Sequence, residues 1–473
     1  MKKFAEKLDK FFKISESGSS ISTEIIAGLT TFFAMCYIVV VNPSSMISGV
    51  HAGLQNAVFV GGIVAAVVAT LLMAFVAKKP FALAAGMGLN SFFFVTFILP
   101  YVLGDKLDEV TDGFAAGLAC ILISGLVFLV LSVTGVRKLL AQALPKTLKV
   151  AIPAGIGGFI AFIGFQNSGL VEANQYTLVQ FCDFTSWANC APAIVAFVGF
   201  ILIVVFASSK HNFFKKGAVI LGILAATALY YIFSIFTPSL QITASSQSLG
   251  QIFKDWFAYG FSAFKGFGTL FNGTLLGSVF SAIMIVITFC LVDMFDTLGT
   301  VYGAAQSVGM VDENGDPENL GEIMLCDSIG TVAGALTGTS TITTYVESSA
   351  GIGAGGRTGL ASVVTGGLFL LCLLLGPIVN YVPSAATAAA LIYVGVLMFK
   401  GARNVNWDDP RAAATAFMTI TMMICTYSIT NGIMIGAMTY TLFTICTRKF
   451  EKKDIVVSII ALLGLLRFIF VAM

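Results

Sequence analysis

Charge is what this chain has least of: 11% of its 473 residues are Asp, Glu, Lys or Arg, where a water-soluble chain carries about a quarter. Histidine occurs only as His51 and His211, and no CxxC or His/Cys cluster exists. Scarce charge excludes soluble enzymes, secreted disulfide scaffolds and disordered proteins. Scarce histidine and unpaired cysteine spacing leave no protein metal site to expect, and no cofactor is called for. An intramembrane serine protease would need a partnered histidine, and an aspartyl protease a Gly-x-Gly-Asp signature that is missing, so catalysis is not expected. A net charge of +2 gives no footing for nucleic acid.

What fills the chain instead is apolar: 57% of residues, with a mean hydropathy of +0.94. Crossing about 30 Å of hydrocarbon takes about 20 apolar residues in a helix. Such runs occur near 24–42, 55–77, 82–101, 114–134, 147–167, 191–208, 216–236, 277–300, 320–338, 340–354, 359–377, 384–400, 411–428, 429–447 and 455–472. Strand alternation is absent, so the expected fold is an all-α polytopic membrane protein embedded in the lipid bilayer.

The few cations say which way it faces. Lys2, Lys3, Lys7, Lys10 and Lys13 precede the first run among Phe4, Phe11 and Phe12, which resembles a short interfacial amphipathic stretch, and no cleavable signal peptide is evident. With that end in the cytoplasm, twenty-two Lys and Arg fall inside, three (Lys106, Lys254, Lys265) outside, and Arg467 is unassigned. Fourteen crossings fit this asymmetry, with Ile455 to Met473 an additional apolar segment. Cys36, Cys120, Cys290, Cys326, Cys372, Cys425 and Cys446 sit in apolar runs as small hydrophobes, while Cys182 and Cys190 lie in an external loop as either a disulfide or two thiols.

Two runs are poor helices for one reason. Ala84-Ala85-Gly86-Met87-Gly88-Leu89-Asn90-Ser91-Phe92-Phe93 and Gly338-Thr339-Ser340-Thr341-Ile342-Thr343-Thr344-Tyr345-Val346-Glu347-Ser348-Ser349-Ala350-Gly351 each place small residues or β-formers ahead of a polar group. Each reads as an extended stretch reaching mid-membrane, then a half-helix whose unpaired N–H groups and positive dipole end face a buried site. Close packing through glycine is the other reading of Gly86 and Gly88.

An ionisable residue at membrane depth costs about 2.5 to 3.5 kcal/mol on insertion scales and marks function by default. Asp293 and Asp296, three apart and so on one side of a helix, end the eighth run, and Glu347 lies in the tenth; Asp327 and Glu322 are weaker cases. Adjacent segments offer these acids no Lys or Arg, and carboxylates so placed readily take up a proton. Asp293 has a second reading as a brace bonded to neighbouring hydroxyls. A faint likeness of Leu148 to Phe159 with Ala389 to Phe399, added to the paired broken runs, suggests seven spans repeated in inverted orientation.

These residues carry a resemblance. Thr30-Thr31-Phe32-Phe33-Ala34-Met35 through Asn42-Pro43, Gly86 to Asn90, Asp293-Met294-Phe295-Asp296-Thr297-Leu298-Gly299-Thr300, Thr344 to Gly351 with Gly355-Gly356-Arg357-Thr358-Gly359, and Thr426-Tyr427-Ser428-Ile429 resemble the nucleobase-cation symporter-2 superfamily, in its AzgA-like branch of hypoxanthine, guanine and adenine permeases. The resemblance implies 14 transmembrane segments as 7+7 inverted repeats, with spans 3 and 10 built from a short strand plus half-helix. It implies a cytoplasmic N-terminus (1–20), a core domain (21–135 and 276–378), a gate domain (136–237 and 379–450), an external linker (238–275) and the C-terminal segment (451–473). It further implies proton-coupled purine uptake by an elevator-type movement across the plasma (inner) membrane, and a homodimer through the gate. Position by position it makes Glu347, Asp296 and Asn90 substrate-binding, Tyr345 the aromatic beside Glu347, Phe33 and Phe92 stacking partners, and Asp296, Glu347 and Asp293 the proton-coupling acids. An anion carrier of sulfate or bicarbonate type on the same fold is the alternative.

Overall fold

The computed structural model describes the chain apart from residues 1, 135–144, 175, 184, 212–213, 216, 238–239, 241–247, 272–274, 276–278, 309, 311–316, 380, 448–453 and 472–473. Seven of the counted cations (Arg137, Lys138, Lys216, Arg448, Lys449, Lys452 and Lys453) and the start of the expected 238–275 linker lie outside the described residues.

Hydrocarbon supplies no water to hydrogen-bond a bare backbone, so a crossing segment satisfies itself as a helix. Among the described residues eleven helices are long and apolar enough to cross: Ile21–Ile47, Ala52–Ala77, Leu107–Val133, Lys146–Asn167, Trp187–Ala207, Ala218–Phe236, Val279–Leu298, Leu320–Thr337, Gly359–Ile378, Ser384–Asn404 and Ile429–Cys446. The fold is therefore a mostly helical, polytopic membrane protein. The remaining apolar runs are shorter: Met87–Leu103, the sixteen-residue helix Pro410–Cys425, the six-residue helix Ser348–Gly353, and the seventeen-residue C-terminal helix Ile455–Val471.

Among the described residues two strand pairs break the helical pattern. β1 (Leu83–Ala85) pairs antiparallel with β4 (Ile342–Thr344) in the register Leu83 with Thr344 and Ala85 with Ile342. β2 (Val171–Asn174) and β3 (Leu178–Phe181) form a hairpin between the fifth and sixth runs, in which Asn174 Oδ1 accepts from the N–H of Tyr176 at 2.8 Å and of Thr177 at 3.0 Å. Strands of three or four residues are too short for alternation to register in the sequence. The nine cysteines are thiols and not disulfides, and Cys182 and Cys190 are buried in one small cluster with Leu170, Ala193 and Ile392.

The long helices pack in two groups. In one, Ala52–Leu72 and Leu320–Thr337 lie together, flanked by Ile21–Met35, Val110–Val133 and Gly359–Leu371. In the other, Lys146–Asn167 and Ser384–Phe399 lie together, flanked by Trp187–Ala207, Ala218–Phe236, Pro410–Cys425 and Ile429–Cys446. Helix Leu249–Tyr259, inside the expected linker, is fastened to the first group: Trp256 Nε1 donates to Thr337 O at 2.7 Å and Asn56 Nδ2 to Asp255 Oδ2 at 2.7 Å. It is a docked element and not a free tether.

The second group closes on a mutual backbone contact. A Cβ on Gly157 would stand 2.7 Å from Gly395 O, and one on Gly395 would stand 2.5 Å from Gly157 O. Any side chain at either position would push the two helices apart, and overpacking of this kind costs about 1–3 kcal/mol. Gly395→Ala is thus expected to lower the melting temperature of the purified protein, whereas Gly367→Ala, whose Cβ meets nothing within 4 Å, leaves it within error; equal melting of the two variants would refute the contact.

Candidate functional site

The site is built where the two extended stretches meet. Gly86 N–H donates to Thr341 O at 2.9 Å and Tyr345 N–H to Ala82 O at 3.0 Å, closing the short sheet at both ends. Small residues make this possible: Ala84, Ala85 and Gly86 let a second backbone lie alongside, and a Cβ on Gly86 would already touch Thr343 Cγ2 at 3.1 Å. From β1 the chain passes into helix Met87–Phe93, and from β4, through Tyr345 to Glu347, into helix Ser348–Gly353. These two strand-to-helix junctions are tied across the sheet, since Ser348 Oγ accepts from Ala82 N–H at 3.0 Å and Tyr345 hydroxyl donates to Ala85 O.

Glu347 stands at the N-cap position of the second half-helix, with no capping bond from its side chain, and is partly exposed. Its Oε1 accepts a 2.6 Å hydrogen bond from the Tyr37 hydroxyl. Asp296, on helix Val279–Val308, is also partly exposed and lies within electrostatic range of Glu347 and Asp327. Tyr345, buried, feels both Glu347 and Asp296, and Tyr393 from Ser384–Phe399 of the second helix group feels Glu347. Glu347 thus has a second acid and three phenols within electrostatic range, which suits a small polar ligand carrying both donors and acceptors.

The other expected residues sit around this centre. Asn90 is fully buried; its Nδ2 donates to Asn42 Oδ1 at 2.8 Å, and Asn42 Nδ2 donates in turn to Thr339 Oγ1 at 3.1 Å. Asn90 Oδ1 accepts from no described group. Asp293 is buried and its Oδ2 accepts from Thr331 Oγ1 at 2.8 Å, the bracing arrangement. Phe92 is buried with its ring 5.1 Å from that of Phe289. Phe33 is half exposed and its ring meets Phe32 at 5.6 Å; no described hydrogen bond or ring contact brings it to Glu347.

Sequence reading alone missed or ranked low four residues. Tyr37 lies in the interruption between helices Ile21–Met35 and Ile38–Ile47, and a phenol at a helix break at membrane depth is the signal that could have found it. Asp327 is buried and accepts from Thr297 Oγ1 at 2.6 Å. Glu24, also buried, accepts from the backbone N–H of Arg357 at 2.8 Å and of Thr358 at 3.2 Å. Arg357 Nη1 in turn donates to Ile352 O and Gly356 O at 2.7 Å each, capping the far end of the Glu347 half-helix.

The permease-family model matches residues 22–435, a stretch that takes in every one of these groups. The chain belongs to the nucleobase-cation symporter-2 family. This permease is 36% identical over 469 residues to the guanine/hypoxanthine permease PbuG of Bacillus subtilis (strain 168), covering 97% of this chain and 99% of that one. It is 36% identical over 464 residues to the adenine permease AdeP of Escherichia coli (strain K12), covering 98% and 96%. Among solved structures, the transmembrane domain of the cyanobacterium bicarbonate transporter BicA superposes with a TM-score of 0.58 at 16% identity, covering 86% of this chain and 96% of that one; that likeness is one of fold. The permease is a multi-pass transporter and not an enzyme.

The Tyr37 bond to a carboxylate is the most exposed to test. Bonds to charged groups contribute about 1.5–3 kcal/mol, so Tyr37→Phe should lower the melting temperature of the purified permease by several degrees, and combining it with Glu347→Gln should cost less than the two changes added. Strict additivity would count against the contact.

Proposed function

We propose that this permease takes up purine nucleobases (hypoxanthine, guanine or adenine) in symport with a proton. One observation carries the reading: Glu347, at the start of the half-helix that follows β4, has a second acid, Asp296, within electrostatic range, and β4 is tied to β1. A purine ring offers N–H groups that such acids accept, and ring nitrogens or a carbonyl that seek the donors of a half-helix start and of Tyr37 or Tyr345. The purines named for PbuG and AdeP support the same class. Asn90 would add an acceptor through its Oδ1, and Phe92 and Phe33 are the aromatic candidates for stacking.

For the fold we propose fourteen crossings as 7+7 inverted repeats, the eleven long spans being joined by Met87–Leu103, the 340–354 segment and Pro410–Cys425. The first helix group would be the core (21–135 and 276–378), the second the gate (136–237 and 379–450). Core would slide against gate in an elevator-type exchange, with a proton on Glu347, Asp296 or Asp293 neutralising the loaded site. The cation asymmetry supports a cytoplasmic N-terminus in the plasma membrane, and the gate is the surface through which we propose a homodimer. The BicA likeness favours an anion carrier as the second reading. Two acids at a half-helix start oppose it, because they cancel the positive end that an anion would use.

In cells deprived of their own purine permeases, labelled hypoxanthine uptake should be competed by unlabelled adenine or guanine and not by uracil or sulfate, and should fall as external pH rises. Glu347→Gln should abolish it at unchanged expression. Sulfate uptake by the wild type, or full hypoxanthine uptake by Glu347→Gln, would overturn the reading.

A further inference from the structure

The same spacing occurs twice on neighbouring helices: Asp293-x-x-x-Thr297 on Val279–Val308 and Asp327-x-x-x-Thr331 on Leu320–Thr337. Residues four apart share a helix face, so each helix presents one carboxylate and one hydroxyl. The bonds are exchanged between the helices: Thr331 Oγ1 donates to Asp293 Oδ2 at 2.8 Å and Thr297 Oγ1 donates to Asp327 Oδ1 at 2.6 Å. Asp293, Thr297, Asp327 and Thr331 are all at 0% exposure, which removes solvent competition from both bonds.

Each hydroxyl also holds β4. Residues 341 and 345 use their backbone groups toward the β1 segment, so alternation turns the N–H groups of Ile342 and Thr344 to the opposite edge. There Ile342 N–H donates to Thr331 Oγ1 at 3.3 Å and Thr344 N–H to Thr297 Oγ1 at 3.4 Å. Thr343 Oγ1 lies 2.8 Å from Thr297 Oγ1 as well. A hydroxyl has one proton and two acceptor positions. Thr297 therefore gives its proton to Asp327 and accepts from the strand, and the aspartate fixes the direction of the whole relay.

Thr297 occupies a particular place in it. Along the helix it is the residue after Asp296; across the relay it grips Thr344, three residues before Glu347. The two acids of the site come from separate helical segments, and this one hydroxyl links both. We propose that Thr297, oriented by Asp327 and seconded by the Asp293–Thr331 pair, is a positioning residue that sets where Asp296 stands relative to Glu347. The inference rests on the purine reading for its main readout and on none of the acids of the brace touching the ligand.

The test measures KM and kcat of labelled hypoxanthine uptake in vesicles containing Thr297→Val, Thr297→Ser, Thr331→Val, Asp327→Asn and the Thr297→Val/Asp327→Asn double variant, per amount of monodisperse protein. Thr297→Val, which keeps shape and loses the hydroxyl, is expected to raise KM about tenfold with a smaller change in kcat, since small misplacements at a binding centre are costly. Thr297→Ser should stay within about twofold of wild type, and the double variant should be no worse than the worse single one. Equal KM for Thr297→Val and Thr297→Ser would overturn the proposal. So would failure of both Thr297→Val and Thr331→Val to yield folded protein, which would assign the relay to the fold alone.

A wild type that transports no hypoxanthine would instead overturn the purine reading, and the brace is then read without ligand. With the native cysteines replaced, Asp296→Cys and Glu347→Cys are introduced together and the rate of disulfide formation is followed. Thr297→Val in that background is expected to change the rate several-fold and Thr297→Ser to leave it alone; identical rates in all three would refute positioning.

Discussion

An extended strand in hydrocarbon has two edges of bare peptide groups and no water to satisfy either. The pairing of β1 with β4 meets that constraint along one edge of each strand, and much of the rest follows from it. The strands must run antiparallel and close, which demands Ala84, Ala85 and Gly86 on one side. The two half-helices then leave the sheet at opposite ends, Met87–Phe93 beyond Ala85 and Ser348–Gly353 beyond Thr344, and the Tyr345 hydroxyl reaches back to Ala85 O. The site is less a pocket lined by side chains than the consequence of two chain breaks that only each other can repair.

The outer edges are met in two ways that differ between the halves of the chain. For β1, Thr70 on Ala52–Leu72 exchanges bonds at 3.0 Å with both the N–H and the carbonyl of Leu83. For β4, threonines of two helices take the N–H groups of Ile342 and Thr344, and aspartates take the threonine protons. The half that carries Asp296 and Glu347 is thus also the half whose strand is held through carboxyl groups. A carboxyl oxygen that accepts a threonine proton fixes that hydroxyl's orientation, so β4, three residues before Glu347, has two oriented hydroxyls along its outer edge.

Much of the membrane architecture was legible because hydropathy is a long-range signal: eleven of the apolar runs return as helices able to cross. In the third and tenth runs glycine, serine and threonine interrupt a pattern that is otherwise monotonous, and the short strands β1 and β4 lie there. Glu347 and Asp296 stood out as acids where acids are rare. Tyr37 did not, because a tyrosine in an apolar run looks like any other hydrophobe until its hydroxyl is seen on Glu347. Asp327 and Thr297 were illegible as a pair, their bond spanning thirty residues. The β2–β3 hairpin was lost to its brevity, and Phe33, one residue from the buried-facing Phe32, shows that aromatic identity gives no helix face.

The contact between Gly157 and Gly395 bears on motion. Where two helices meet through side chains, rotamers can rearrange and the crossing can slide or pivot. Here each helix meets the other's carbonyl directly, with nothing between them to re-sort. A change of angle at that crossing would have to move backbone rather than side chains, which makes the Lys146–Asn167 and Ser384–Phe399 pair a stiff one.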